Sequence, residues 1–307
     1  MTDVVIVIPF VNEVVQLKKV LEEINRQFDD LNGPEPDILT FHMVCVNNSI
    51  HMPNEVGELE ELPNVSVLHE KDALGSPYSS RNRGIEFKQA SAYVFLDATC
   101  VPGQGWVNRL YEYTQKDFDL IAANVVIGDK KDHQSDIGML YDAITNVDNE
   151  KAVKEQAAAK TACLLVHYRV IDSIGVFEEN VRSGGDIAWT RKATRAGFSL
   201  NFAQDWSVLK SARNSKELLY KQWRVALAFP RIRNNRKEMM SMISRKVLFM
   251  WLPPKPSYIS KTAKRRGIEV NRGEYVKLFF FGWKIRLLTG VAIVVGLVKQ
   301  NANRKSK

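Results

Sequence analysis

Five β-branched residues in a row, Val4-Val5-Ile6-Val7-Ile8, open the chain and stop at Pro9. An unbroken apolar run of that length predicts a strand buried on both faces of a parallel sheet. Between Glu13 and Leu31, Leu17, Val20, Leu21, Ile24, Phe28 and Leu31 recur at the spacing of a helix with one buried stripe. Leu39 to Val46 reads as a second strand, entered after the turn-rich Asn32-Gly33-Pro34-Glu35-Pro36, and Val65 to Leu68 as a short third. A helix over 79–90, a strand over 93–96 ending at Asp97, a helix over 106–113 and a strand over 120–127 complete the series. This alternation predicts an α/β fold with a doubly wound, mostly parallel sheet and helices on both faces. Such sheets bind ligands at the carboxyl ends of their strands, and Asn12, Asn47 and Asp97 all fall just beyond strand ends.

The pattern loosens after residue 128. Asp129 to Ser135 is a polar loop, Tyr141 to Lys160 is polar and helix-prone, and Ala162 to Val166 is a strand. The turn Ser183-Gly184-Gly185-Asp186 leads into a helix over 187–196 closed by Gly197, followed by a last strand over 202–209. Leu218 to Phe229 is a helix that Pro230 interrupts.

Composition excludes fibrous and wholly disordered classes, with 45% hydrophobic and 25% charged residues in 307. Cys45, Cys100 and Cys163 lie far apart in apolar runs, so reduced core thiols in a reducing compartment are expected. The start Met1-Thr2-Asp3 lacks the basic region of a signal peptide, and a cytoplasmic location is expected. Charge is sharply divided. Residues 1–206 hold 19 Lys+Arg against 31 Asp+Glu, whereas residues 207–307 hold 24 against 4. The basic part is interleaved with Met239, Met240, Met242, Phe249, Met250 and Trp251, then with Phe279, Phe280, Phe281 and Trp283. Basic residues among large apolar ones suit an anionic membrane surface, reached through residues 231–307, and no nucleic-acid-binding motif accompanies them. A basic helical tail packed on the acidic part is the plainer alternative.

The chemistry-bearing residues come as ordered segments: Ile8-Pro9-Phe10-Val11-Asn12-Glu13, Ser80-Arg81-Asn82-Arg83-Gly84-Ile85, and Tyr93-Val94-Phe95-Leu96-Asp97-Ala98-Thr99-Cys100-Val101-Pro102 with Trp106. Ile174-Gly175-Val176-Phe177-Glu178-Glu179 and Gly185-Asp186-Ile187-Ala188-Trp189-Thr190-Arg191 with Gly197 follow. Each alone is commonplace. In this order the series resembles the family 2 glycosyltransferases, which have the GT-A fold, a Rossmann-like α/β sheet. The third segment corresponds to that family's DXD motif. The resemblance covers roughly residues 4–225.

The resemblance implies transfer of a sugar, with inversion, from a nucleotide-sugar donor to a hydroxyl of a glycan or lipid-linked acceptor. It puts Asp186 at the general-base position, near a helix N-terminus that favours its ionised form. Pro9, Asn12, Glu13, Asn47, Arg81, Asp97, Thr99 and Lys210 correspond to donor-binding positions, and Trp189 to a position near the acceptor. By prevalence in the family the donor is a UDP-sugar. Plainer roles exist for several: an N-cap for Asp186, a solvated strand end for Asp97, a surface helix arginine for Arg81. His133 and His167 are alternative ligands in principle, but His133 lies in a polar loop and His167 at a strand end, so solvated or structural roles are expected for both.

Three positions depart from the family pattern. The second acidic position of the DXD segment is Thr99, a weaker ligand than carboxylate for a divalent cation (manganese or magnesium) that Asp97 would hold. Val208-Leu209-Lys210 stands where a histidine is usual, and its ammonium is itself able to neutralise a diphosphate. Asn47-Asn48-Ser49 replaces an aspartate near the nucleobase. An active enzyme with Lys210 supplying part of the metal's charge is one reading; a silent relative that binds lipid or a partner enzyme as a scaffold is the other.

A boundary is expected at 225/226, between the GT-A domain and a basic, amphipathic C-terminal helical extension over 226–307. Leu278 to Val298 has the length of a membrane span, but Lys284 and Arg286 interrupt it, each costing ~2.5–3.5 kcal/mol at a bilayer centre. A helix lying in the interface, peripheral on the inner face of the membrane, is therefore preferred. Gly282, Thr289 and Gly296 share one stripe that would also allow close helix packing. Trp251-Leu252-Pro253-Pro254-Lys255-Pro256 reads as a stiff break between two helices.

Overall fold

A computed structural model describes residues 2–32, 39–128, 136–179, 181, 183–228 and 250–305. The expected turn at 33–36, the whole polar loop at 129–135 with His133, Pro230 and the methionine-rich segment at 239–249 lie outside the described residues. The chain divides into two compact units, residues 1–126 with 147–210, and residues 127–146 with 211–307.

The first unit is built on β1 (Thr2–Phe10), α1 (Val14–Asn32), β2 (Leu39–Asn47), the single turn α2 (Gly57–Glu60), β3 (Val65–His69), α3 (Pro77–Phe87) and β4 (Ala92–Leu96). It continues through β5 (Cys100–Pro102), α4 (Trp106–Thr114) and β6 (Leu120–Ile127), which runs to its edge. After an excursion into the second unit it resumes at α6 (Asn149–Gln156), β7 (Cys163–His167), α7 (Tyr168–Ile174), α8 (Gly185–Arg195) and β8 (Leu200–Lys210). The eight strands form one sheet in the order β3-β2-β1-β4-β7-β6-β8-β5. β3, β2, β1 and β4 run parallel, so their carboxyl ends lie together, with Phe10 beside Asn47 and Val7 beside Phe95. From β4 onward the pairings β4–β7, β6–β7 and β5–β8 are antiparallel. β5 has only three residues, one of them proline, too short for any apolar period to reveal it.

The pleat of β1 assigns its helices. Val5 and Val7 belong to a core shared with Ile85 of α3, Val170 of α7 and Trp189 of α8. Val4, Ile6 and Ile8 point the other way. On that side Phe28 of α1 stacks on Phe41, the β2 partner of Val4. α4 is tied to α1 through buried Gln27, which donates to Gly103 O (2.9 Å) and accepts from Val107 N (3.2 Å). Helices therefore cover both faces. α3 lies so close to β1 that a Cβ at Gly84 would collide with the Val7 side chain, which only glycine avoids. All three cysteines are buried, and burial pushes the Cys45 and Cys163 thiols up, which keeps them protonated and inert.

The second unit is helical: α5 (Ile137–Thr145), α9 (Ser215–Ala228), α10 (Pro256–Arg265) and α11 (Arg272–Lys305). It includes residues 127–146 and 211–225, both of which the expected division at 225/226 assigned to the first domain. The reason is the apolar face of α5. Leu140 and Ile144 pack with Ile259, Ala263 and Leu278, and Ile137 and Tyr141 pack with Leu218, Phe281 and Ile285. Gly282 is required beneath the Tyr141 ring, where a Cβ would approach to 2.9 Å. The helix-prone stretch from Tyr141 to Lys160 is accordingly two helices. They part at Asn146–Asp148, where Val147 has φ 39° and Asp148 caps α6 by accepting from Lys151 N (3.0 Å).

Candidate active site

Asp97 lies just past the end of β4, in a turn held by Cys100 N donating to Asp97 O (2.9 Å), while Asp97 N donates to Ala162 O (3.0 Å). Its carboxylate is shared between two cations. Arg81 Nη2 donates to Oδ1 at 3.1 Å and Lys210 Nζ to Oδ2 at 2.7 Å. The Arg81 and Lys210 side chains are 3% and 8% exposed, whereas Asp97 is 34% exposed. Burying cations this deeply is costly unless they are paired, and the shared carboxylate offsets that cost. Each partner arrives by a different route. Arg81 projects from α3, whose start is fixed by Ser76 accepting from Ser79 N and by Pro77 in the first turn. Lys210 is the last residue of β8, brought in by the antiparallel pairing of Cys100 with Lys210.

Asp186 is the second residue of α8, half-buried behind the left-handed Gly184 (φ 81°). Its Oδ1 accepts from Ile187 N (2.9 Å) and from the Tyr78 hydroxyl (3.2 Å). The other oxygen, Oδ2, has no hydrogen-bond partner among the described residues. Tyr78 links the two halves of the site, since the Arg81 guanidinium lies 5.7 Å from the centre of its ring. Gly185 is pressed against the other part of that ring, where a Cβ would approach to 2.8 Å. Burial, together with the Asp186 charge, pushes the Tyr78 hydroxyl up, so it stays protonated and donates. Tyr78 was not among the sequence candidates. A tyrosine following proline at a helix start looks like core, and nothing in its spacing announces the partner 108 residues away.

The remaining candidates divide between contact and support. Asn47 is fully buried: its Nδ2 donates to Val11 O (2.8 Å) and its Oδ1 accepts from Ser49 N (3.1 Å) and Oγ (2.5 Å). Glu13 Oε2 accepts from Val11 N (2.8 Å) and Asn12 N (3.0 Å). Both side chains brace the turn that follows Pro9 and leave Asn12 exposed. Asn48 ties the same region to residues 73–75 by donating to Ala73 O (3.2 Å) and accepting from Gly75 N. Asn82, from the second sequence segment, clamps the fourth, donating to Phe177 O (2.8 Å) and accepting from Phe177 N (3.0 Å). Thr99 is half-buried in the turn beside Asp97.

One expectation is corrected. Trp189 does not face an acceptor: it is 4% exposed, packs on Phe177 and donates its indole N–H to Gly175 O (2.8 Å). Its apolar bulk is spent on the core beneath α8. His167 pairs with Ala92 at the start of β4, the end of the sheet away from Asp97, and its Nδ1 accepts from Arg169 N (3.1 Å). It caps α7 and is no ligand for the site.

A carboxylate past the end of a parallel strand and a second carboxylate at a helix start lie at the same edge of the sheet, linked through Arg81 and Tyr78. Comparison with known proteins gives the family and the fold. The model of glycosyl transferase family 2 matches residues 5–170, and the chain belongs to that family. Glycosyltransferase AglE of Haloferax volcanii is 30% identical over 293 residues, covering 92% of each chain. Among solved structures, the mannosyltransferase PcManGT from Pyrobaculum calidifontis, in complex with GDP-Man and Mn2+, aligns with a TM-score of 0.55 at 12% identity. That alignment covers 97% of this chain and 86% of that one. TarS of S. aureus aligns with a TM-score of 0.51 at 15% identity over 74% of this chain, which spans 39% of that one. At these identities the two structures bear on the fold alone.

PcManGT is solved with Mn2+, and the side chains of this chain decide whether it suits such a cation. No group of three His, Cys, Asp or Glu side chains suited to a metal is found among the described residues. At the DXD position Thr99 replaces a carboxylate, and the remaining carboxylate, Asp97, already has the Lys210 ammonium on Oδ2. An ammonium seated there repels a second cation, so the residues do not fit a tightly held metal.

Proposed function

We propose that the chain transfers a sugar, with inversion, from a UDP-sugar to a hydroxyl of a lipid-linked or glycan acceptor at the cytoplasmic face of a membrane. The observation that carries this reading is the joined cluster Asp97–Arg81–Tyr78–Asp186 with Lys210. The acceptor oxygen attacks the anomeric carbon, its bond to the diphosphate oxygen breaks, and the nucleoside diphosphate leaves with the bonding pair. Asp186 Oδ2 takes the hydroxyl proton as the new bond forms. Its Oδ1 is held by Tyr78 and Ile187 N, so the carboxylate keeps one orientation through the step. Lys210 and Arg81 face the charge growing on the diphosphate. Fixed cations of this kind need no reorganisation as the leaving group departs. Asp97, neutralised by both, keeps the two cations in place and remains exposed enough to accept from a ribose hydroxyl. Glu13, Asn47 and Asn48 shape the turn beneath the base.

A panel of UDP-, GDP- and dTDP-sugars offered with a polyprenyl phosphate and with oligosaccharide acceptors tests the reading. Labelled product from a UDP-sugar is expected. Turnover with GDP-sugars alone would move the donor assignment to guanine, and turnover with none would favour the scaffold reading.

A further inference from the structure

α11 is apolar on two opposite sides. One side is buried: Leu278, Phe281 and Ile285 pack within the helical unit beside α5 and α9, and Ala292 and Ile293 pack with Ala226 of α9. The other side is not. Val276, Phe280, Trp283, Leu287, Val291, Val294 and Val298 fall within an arc of about 80° at 3.6 residues per turn. Val276, Phe280 and Val298 are 52%, 57% and 63% exposed. The stripe runs for about 33 Å at 1.5 Å per residue. Trp283 Nε1 donates to Trp251 O (3.2 Å), which places Trp251 (58% exposed) and Leu252 (54%) next to it. Contiguous exposed apolar surface on this scale marks an interaction face.

Charge selects the occupant. Arg272, Lys277, Lys284 and Lys299 on α11, with Lys261 and Lys264 on α10, are all exposed. Residues 207–307 carry 24 Lys+Arg against 4 Asp+Glu, so a second copy of the same face meets like charge, whereas anionic lipid meets opposite charge. Lys284 sits at the edge of the stripe near its middle. In a helix crossing the bilayer that ammonium would lie near the hydrocarbon centre, and in a helix lying flat it reaches the phosphates.

We propose that the outward face of α11, with Trp251 and Leu252, docks on an anionic bilayer surface with the helix lying along it. This stands on the second unit alone and does not depend on the sugar-transfer reading. The test is flotation of the full chain with vesicles of phosphatidylcholine alone and of phosphatidylcholine with about one third phosphatidylglycerol. The expected result is binding to the anionic vesicles that weakens with salt, and at least a tenfold loss in the double variant Phe280→Glu/Val291→Glu. Trp251→Glu/Leu252→Glu provides a second pair whose exposed side chains lie outside the helix, and circular dichroism verifies that both variants fold. Several outcomes overturn the proposal: no binding to anionic vesicles, binding unchanged in both variants, carbonate-resistant insertion of the wild type, or a wild-type dimer that Phe280→Glu dissociates.

Discussion

If Asp186 is the general base as proposed, Asp186→Asn is expected to lower the rate of sugar transfer by about 10²–10⁴-fold, the usual contribution of a positioned proton acceptor. The substitution preserves size and most contacts. An amide oxygen in place of Oδ1 still accepts from Tyr78 and Ile187 N, so α8 keeps its start and the melting temperature stays close to wild type. What is lost is the basicity of Oδ2 at the moment the acceptor hydroxyl gives up its proton. Nucleoside diphosphate affinity is unchanged, because Arg81, Lys210 and Asp97 are untouched. Initial rates at saturating donor, measured beside a calorimetric titration with UDP, separate the two quantities. A variant with wild-type turnover would remove Asp186 from the chemistry and return it to the plain helix-start role its position also allows.

The second large effect is at Lys210. On the proposed mechanism, Lys210→Ala is expected to delete a charge-assisted contact with the diphosphate, a loss of about 1.5–3 kcal/mol, or roughly 10–150-fold in UDP affinity. Asp97 then keeps Arg81 at 3.1 Å, so the carboxylate is not stranded and the unit remains folded. Lys210→His is the more informative change. A neutral imidazole beside Asp97 gives one nitrogen and one carboxylate ligand where an ammonium had been, and manganese recovers part of the lost affinity. The account therefore predicts that UDP binding by Lys210→His depends on manganese while Lys210→Ala stays weak with or without it. Equal affinity of Lys210→Ala and wild type would take Lys210 out of donor binding.

Much of this site is legible in the chain because parallel strands announce themselves. Val4 to Ile8, Leu39 to Val46 and Tyr93 to Leu96 are continuous apolar runs, and the polar residues directly after them are forced to one edge of the sheet. Arg81 and Lys210 are legible only through the ordered segments, since no local period tells a buried helix arginine from an exposed one. Tyr78 and Trp189 exchange roles relative to expectation for a related reason. Both are aromatic residues near helix starts, and which one faces the site is fixed by packing: Tyr78 meets Phe177 and Gly185, 99 and 107 residues along the chain, whereas Trp189 packs on Phe177 and bonds Gly175, 12 and 14 residues before it. The antiparallel half of the sheet is illegible because an apolar run carries no direction. The membership of α5 in the helical unit is illegible too, since the apolar faces that claim it lie more than 70 residues further along the chain.

In the proposed mechanism fixed cations on Asp97 receive the donor diphosphate in place of a resident metal. Calorimetric titration of the wild-type protein with UDP is then expected to give the same affinity in manganese and in a chelator, with both falling together when Lys210 is replaced. Binding that appears only with manganese would overturn this assignment.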